Sequence, residues 1–348
     1  EKVALPFYRG EGRDGGEGGH HGLGHKALKP AAEPGKAYAY HNPNYQLLAL
    51  LVEEVSGQPF ASYIRDHIFL PLGMDGTYSV STTQGINADP DIPRGRYLLL
   101  GSSLQRDEPL WFVEGSAGVI STAEDMAKWM LAQLAGKLLS PRLMEQYHAP
   151  GQKSPYGMGW LVEQDDELRK EISHSGIFWT YKAEEAIYPD TGLGIAMMFD
   201  TGISSFVNYS AFIDGIVRIV AGEKVDPPAV RYKHMETLAA LLMAVTMLLG
   251  AYAVRRLIKK KNRLANPRKR ILFAFLRFLI PALLLACLPS LLSLIAGGRV
   301  VTWTGIWMMM PSLILLLALI ALANLIVLVC LFVFAAGATA GFRSDRLP

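Results

Sequence analysis

Two short groups of residues, far apart in the chain, carry side chains suited to acyl transfer. Tyr40 and Asn42 precede an apolar helical pattern, and His174-Ser175-Gly176 lies far downstream. A serine hydroxyl becomes a good nucleophile only when a base takes its proton. A tyrosine oxygen can be that base if cationic neighbours lower its pKa from the ordinary value of ~10. These residues therefore predict part of a serine-hydrolase site.

The other side chains of the two groups suit substrate binding. An asparagine at the entrance of a helix, Asn42, can orient a substrate amide. His174 can supply a hydrogen-bond donor or a positive charge, and Gly176 lets a substrate backbone approach a strand edge closely. Each short motif alone has a high false-positive rate, because a lone Tyr-x-Asn is typical of a turn and a lone His-Ser-Gly of a strand end.

The hydrophobic pattern predicts the elements that hold these groups. Apolar residues recur at helical spacing over 44–55 and 59–69, and Ser121 with Glu124 forms a capping box in front of a third helix. Strands are expected at 156–162 and 171–174, followed by a hairpin at 181–188 and 194–199 and a helix at 206–220. Helices, then antiparallel strands, then a helix predict an α/β (α+β) fold rather than repeated βαβ units.

Charge divides the chain into two halves. Residues 1–230 hold 19 Lys and Arg against 29 Asp and Glu, a net charge of −10, whereas residues 231–348 hold 15 against 2, a net charge of +13. The acidic half excludes a nucleic-acid partner, which requires a basic patch. Cys287 and Cys330 lie in apolar runs, so they imply no disulfide framework. The sequence gives no signal for a cofactor.

Three apolar runs, near 235–254, 271–296 and 307–336, are long enough to cross a bilayer as helices. The segment 255–270 between the first two carries nine Lys and Arg and no acid. Because short basic loops stay in the cytoplasm, we expect this loop to be cytoplasmic and residues 1–230 to be extracellular. The chain is thus predicted to be a multi-pass protein of the cell membrane with the lipid bilayer as a partner. Topology accounts for the basic loop without a nucleic acid.

Residues 1–33 are rich in glycine and include His20, His21 and His25. No carboxylate or cysteine lies at a spacing suited to a metal site, so composition favours a flexible segment. A shift of the reading frame upstream would give the same composition.

The residues 34–220 resemble the serine β-lactamase and penicillin-binding-protein superfamily, in the class C-like branch of D-alanyl-D-alanine carboxypeptidases and esterases. Tyr40-His41-Asn42 is similar to the family's Tyr-x-Asn motif, and His174-Ser175-Gly176 to the form of its Lys-Thr-Gly motif that has His in place of Lys. Supporting stretches occur in family order: Pro71-Leu72-Gly73-Met74, Ala117–Met126, Tyr156-Gly157-Met158-Gly159-Trp160 and Pro189–Gly194.

The resemblance implies a partial β-lactamase/transpeptidase-like fold, in which an antiparallel sheet is flanked by helices beside an all-helical lobe. It also implies a role for each site residue. Tyr40 would be catalytic, Asn42, His174, Ser175 and Gly176 would bind substrate, and no metal is involved. The substrate would be a cell-wall peptide or a small ester or amide. The predicted domains are a flexible segment 1–33, a partial β-lactamase-related domain 34–226, a linker 227–234 and a membrane domain 235–348.

One family motif is missing. The nucleophile belongs to Ser-x-x-Lys, and no serine of this chain has a lysine at the third position after it. The motif would lie about a hundred residues before Tyr-x-Asn, hence before Glu1. We therefore expect a membrane-anchored serine hydrolase represented without its nucleophile and inactive in this form. A non-catalytic membrane-bound module that binds wall fragments or regulates is the alternative.

Overall fold

A computed structural model describes residues 33, 35–164, 169–202, 204, 207–225, 231–259, 266–295 and 301–344. Residues 1–32 of the predicted flexible segment 1–33 and residues 227–230 of the predicted linker 227–234 lie outside these residues. The described chain forms two compact units. The first takes residues within 1–94, 107–178 and 182–199, and the second takes residues within 95–106, 179–181 and 200–348.

The described helices are α1 Asn42–Ser56, α2 Phe60–Ile64, α3 Thr83–Ala88, α4 Ala123–Leu134, α5 Pro141–Tyr147, α6 Ser210–Val220, α7 Arg231–Lys259, α8 Pro267–Ile295, α9 Trp303–Met309 and α10 Pro311–Ser344. The strands are β1 Tyr78–Ser79, β2 Arg96–Leu99, β3 Ser102–Gln105, β4 Val119–Ile120, β5 Leu161–Gln164, β6 Lys170–Ile177, β7 Lys182–Tyr188 and β8 Leu193–Phe199. These elements confirm the predicted mixture of helices and antiparallel strands.

The first unit is built on a four-stranded antiparallel sheet whose strands β5, β6, β7 and β8 lie in chain order. Helix α4 packs on β8, so closely that a Cβ on Gly194 would lie 2.7 Å from the Cβ of Met130. Met130, Trp160, Ile172 and Ile187 form the buried core between helix and sheet. The predicted hairpin at 181–188 and 194–199 corresponds to the antiparallel β7–β8 pair.

Helix α1 carries Asn42 at its first residue. Pro43 occupies the first turn, where a missing backbone N–H costs nothing, and Gly57 ends the helix with φ 69°. The predicted apolar spacing is present, but Leu47, Leu48, Leu51 and Val55 are exposed. The predicted second helix is α2 followed by a single π-helical turn, Arg65–Phe69.

The start of α4 differs from the prediction by one residue. Thr122, not Ser121, caps the helix, because its Oγ1 accepts a hydrogen bond from the backbone N–H of Asp125 at 3.1 Å. The buried Asp125 carboxylate accepts further hydrogen bonds from the Gly76 N–H, the Thr77 hydroxyl and Lys128 Nζ, at 2.8–2.9 Å. Burial alone would raise the pKa of Asp125, but these hydrogen bonds outweigh it and lower the pKa.

The second unit contains the β2–β3 hairpin, α6 and the apolar helices. The hairpin turns at Leu100 and Gly101, both at positive φ, 49° and 79°. The Leu100 N–H donates to Ser312 Oγ, and the Ser312 hydroxyl donates to the buried Glu236 carboxylate. The hairpin tip is thus hydrogen-bonded to the start of α10.

Three helices are long and apolar enough to cross a membrane: Lys233–Lys259, Arg268–Ile295 and Pro311–Ala335. This confirms the three predicted apolar helices. The third predicted run, 307–336, is divided, because Pro311 has no N–H to continue α9 and instead begins α10. α10 packs against α7 and α8 around Leu257, Ala274, Leu328 and Leu331.

Asp125→Asn is expected to lower the free energy of unfolding by about 2 kcal/mol, because a buried carboxylate with several donors is replaced by a group that cannot accept from all of them. The measurement is urea unfolding of the full chain in detergent. Glu124→Gln, at a side chain that is 83% exposed and also pairs with Lys128, should cost less than about 0.5 kcal/mol. Equal effects of the two substitutions would contradict the assignment of Asp125 as the structural anchor of this helix start.

Candidate active site

The structure brings Tyr40 and His174 together, although 134 positions separate them in the sequence. Their ring centroids lie 6.2 Å apart. The ring of Tyr156 lies against both, edge-on to Tyr40 at 5.4 Å and to His174 at 5.7 Å. The segment in front of α1 and the strand β6 therefore meet at one cluster of three rings.

A chain of hydrogen bonds links His174 to α1. Tyr156 Oη lies 3.1 Å from His174 Nε2 and 3.0 Å from Tyr45 Oη. Tyr45 lies on the first turn of α1. Tyr156 thus fixes the imidazole to the helix that begins at Asn42.

The strand that carries His174 is open at this end. β5 pairs with β6 only as far as Ser173, whereas β7 pairs with β6 as far as Ile177. In the part of the chain that the structure describes, residues 174–177 thus have a strand on one side only. An extended peptide can bind to such an edge through main-chain hydrogen bonds.

Ser175 and Gly176 lie on this open edge and both are exposed. A Cβ on Gly176 would lie 3.3 Å from the Cβ of Ala183, so the glycine also relieves crowding across the sheet. Asn42 begins α1 two residues after Tyr40 and is half-buried.

The electrostatics favour a neutral imidazole. Burial is the largest cause and lowers the pKa of His174, while a hydrogen bond with the Ser175 backbone opposes it; the nearby Lys182 ammonium lowers the pKa further and Glu184 raises it slightly. At neutral pH His174 is therefore a hydrogen-bond donor or acceptor rather than a cation. Of the two roles considered for it from the sequence, the structure favours hydrogen bonding.

Tyr156 is held as a neutral phenol. Burial raises its pKa, and the hydrogen bond with Tyr45 raises it further. Tyr156 is therefore suited to donate a hydrogen bond and unsuited to act as a base at neutral pH.

A second buried titratable group lies directly opposite His174. Glu185 of β7 pairs with His174 in the β6–β7 register, and its Oε2 is buried without a hydrogen bond to any described residue. Burial raises the pKa of Glu185 to about 7, although a hydrogen bond from Trp129 opposes the rise. The carboxyl is therefore largely protonated in slightly acidic solution.

Tyr45, Tyr156 and Glu185 were not among the predicted site residues. Tyr156 belongs to a stretch that supports the family resemblance, but nothing in its local spacing shows that it contacts β6. Glu185 follows another glutamate on a strand, and only the β6–β7 register shows which of the two faces His174. Among the described residues no three His, Cys, Asp or Glu side chains form a group that could hold a metal. The three N-terminal histidines lie outside the described chain.

The sequence is similar to a known protein family and to named bacterial proteins. Residues 25–209, more than half of the chain, match the protein family described as Beta-lactamase. PbpX of Bacillus subtilis (strain 168), whose name assigns it to the penicillin-binding proteins, is 35% identical over 132 residues, which cover 37% of this chain and 32% of PbpX. Protein flp of Staphylococcus aureus (strain MW2) is 25% identical over 326 residues, 86% of this chain and 62% of flp.

A solved structure is also similar. The octameric penicillin-binding protein homologue from Pyrococcus abyssi is 24% identical, with a TM-score of 0.49 over 56% of this chain and 44% of its own. The chain therefore spans less than two thirds of the length of each of these relatives.

Glu185→Gln should change how stability depends on pH. A carboxyl whose pKa rises from 4.5 to about 7 on folding stabilises the fold fully below pH ~4.5, and this contribution is lost as the pH rises through 7. The variant should therefore gain stability relative to the parent between pH 5 and 8, by at most about 3 kcal/mol.

The measurement is urea unfolding of both proteins across this pH range, followed by tryptophan fluorescence. Glu145→Gln, at an exposed position of α5, is the matched control and should follow the parent at every pH. A constant difference between Glu185→Gln and the parent from pH 5 to 8 would show that the carboxyl is not protonated by burial.

Proposed function

The chain belongs to the β-lactamase family, and on that premise we propose that it is part of a membrane-anchored serine hydrolase. The proposed activity is that of a D-alanyl-D-alanine carboxypeptidase or esterase, which forms an acyl-enzyme with cell-wall peptides or esters. One observation carries this proposal: Tyr40, Tyr156 and His174 converge beside a strand edge that can accept an extended peptide.

Each residue has a role in this proposal. Tyr40 takes the proton from a serine hydroxyl, and Tyr156 orients His174 through the hydrogen bond between them. Asn42 and His174 bind the amide groups of the peptide, while Ser175 and Gly176 offer main-chain hydrogen bonds. Backbone N–H groups near Gly176 would then stabilise the anionic intermediate.

We further propose that this chain does not catalyse the reaction by itself. It contains no Ser-x-x-Lys motif, so Tyr40 has no serine of that motif to activate. Removing the nucleophile from a set of cooperating groups abolishes most of the rate acceleration. The chain would retain substrate binding, because the groups proposed to bind the peptide belong to residues 40–176.

The membrane side is assigned from charge. The nine Lys and Arg of segment 255–270 favour the cytoplasm for that segment. One candidate span, Lys233–Lys259, lies between residues 1–230 and this segment. Residues 1–230 would therefore lie outside the cell, on the side where cell-wall peptides occur. Cysteine substitution at Ser103 and at Lys259, labelled from outside intact cells with a membrane-impermeant maleimide, tests this orientation. Labelling at position 259 rather than 103 would reverse it.

A fluorescent penicillin should not label this chain covalently. The purified full chain is incubated with the reagent and separated on a denaturing gel, with a penicillin-binding protein of proven activity as the positive control. The expected result is no fluorescent band, because there is no Ser-x-x-Lys serine to acylate. A band that survives denaturation, and that a β-lactam competitor removes, would overturn the proposed inactivity.

An N-acetylated peptide ending in D-Ala-D-Ala should bind reversibly at the open end of β6. We expect His174→Ala and Tyr156→Phe each to weaken binding by about tenfold, because each removes a hydrogen bond from the cluster or its support. Isothermal titration calorimetry of the full chain in detergent measures the effect. His67→Ala is the matched control, since His67 is exposed and stacks on Tyr63 outside the cluster. An equal loss of peptide affinity in His67→Ala and His174→Ala would contradict the proposed site.

A further inference from the structure

The three long apolar helices form an open pocket that the hydrolase proposal does not use. It has a volume of about 340 Å³ and is lined by residues of α7, α8 and α10. Three arginines, Arg256, Arg270 and Arg277, line it together with Tyr252 and Asn324. All three arginines are exposed, so the pocket is open on one side. We call these five residues and the space between them the arginine pocket.

The three arginines line the pocket from two helices, α7 and α8. Arg270, Phe273, Ala274 and Arg277 recur at the spacing of one helical face of α8, so both guanidinium groups of this helix are directed to the same side. Arg256 faces them from α7. The remaining walls are apolar and include Leu257, Val327 and Leu331.

The positive charge of the pocket is not neutralised within the described chain. No ion pair or hydrogen bond joins Arg256, Arg270 or Arg277 to another described residue, and no acid lines the pocket. Between residues 231 and 344 the sequence has one acidic residue, Glu236. It lies near the opposite end of α7, about 30 Å along the helix from Arg256.

The depth of Arg277 makes this charge costly. Arg277 lies within the candidate span Arg268–Ile295, about 15 Å along α8 from Pro267 at 1.5 Å per residue. An arginine at this depth is expensive in lipid unless it reaches an anion, a polar partner or the interface. Asn324, on the middle of α10, adds a polar group to the same pocket, and its Nδ2 donates to the Ile320 carbonyl.

We propose that the arginine pocket binds the phosphate of an anionic membrane lipid. Guanidinium groups match phosphate oxygens with paired N–H donors. A pocket of this size holds a glycerophosphate headgroup, and the apolar walls continue along the helices where the acyl chains would lie. Basic pockets between membrane helices are typical sites for such headgroups.

A neighbouring groove on the other face of α7 provides a contrast. It lies between α7 and α10, is larger at about 620 Å³, and is lined almost entirely by apolar residues, with Arg255 and Lys259 at one end. Its charge lies only at the end of the helix, where side chains reach water. The arginine pocket differs because one of its charges, Arg277, lies well inside the span.

The test measures lipid retention by native mass spectrometry of the full chain in detergent. The chain is titrated with phosphatidylglycerol and, separately, with phosphatidylcholine. The expected result is one phosphatidylglycerol retained in clear preference to phosphatidylcholine. Arg256→Gln with Arg277→Gln should reduce this retention at least tenfold, as expected from roughly 1 kcal/mol per basic residue at an anionic lipid.

Arg268→Gln with Lys269→Gln is the matched control. It removes the same charge from the first turn of α8, but neither residue lines the pocket. The control should retain phosphatidylglycerol within about twofold of the parent, and Arg277→Lys should keep part of the binding because it keeps a positive charge. Circular dichroism of every variant checks that the helices still form.

Three results would overturn the proposal. The first is an equal loss of phosphatidylglycerol in the two double variants, which would show that the lipid is attracted to positive charge in general and not to the pocket. The second is retention of phosphatidylcholine as strong as that of phosphatidylglycerol. The third is displacement of phosphatidylglycerol by millimolar inorganic phosphate, which would assign the pocket to a soluble anion.

Discussion

The register between β6 and β7 is the constraint on which the candidate site depends. Ile172 lies opposite Ile187, and both are completely buried in the core against α4. A slip of one residue would turn β6 over and expose this pair. The same register directs His174 to the face where Tyr156 and Glu185 lie. The burial of two isoleucines thus decides where an imidazole two residues further along the strand can act.

Burial disfavours the charged forms of the polar groups around this register. Burial lowers the pKa of the His174 imidazole and raises the pKa values of the Tyr156 phenol and the Glu185 carboxyl. A cluster of neutral donors and acceptors can bind the amides of a peptide without first giving up strongly held water. Charge instead lies beside the cluster, in the buried pair of Lys182 and Glu184 on β7.

The two units satisfy their polar groups in different ways. In the first unit, the buried Asp125 carboxylate obtains its partners from the chain itself, namely Gly76, Thr77 and Lys128, whereas Glu185 Oε2 has none among the described residues. In the second unit the long helices satisfy their own backbone groups, which is the condition for crossing a bilayer. The three arginines of the arginine pocket are exposed and their side chains have no ion pair or hydrogen bond with another described residue, and for them we propose a lipid phosphate as the partner.

The exposed apolar face of α1 shows where pattern and structure differ. The spacing of Leu47, Leu48, Leu51 and Val55 correctly predicted a helix, because periodicity depends only on local geometry. It does not reveal what covers that face, and in this structure the four side chains are exposed. Whether an apolar face is buried depends on surfaces that are remote in the sequence.

The sequence by itself determined the local features of this protein. Its apolar periodicity, its turn residues and its charge distribution sufficed for the helices, the β7–β8 hairpin, three apolar spans and the family motifs around Tyr40 and His174. The tertiary structure alone decided which residues meet. That Tyr156 joins Tyr45 to His174, that Glu185 rather than Glu184 faces the imidazole, and that three arginines of two helices share one pocket all follow from strand register and helix packing. These depend on contacts between distant segments, and no local pattern of residues encodes them.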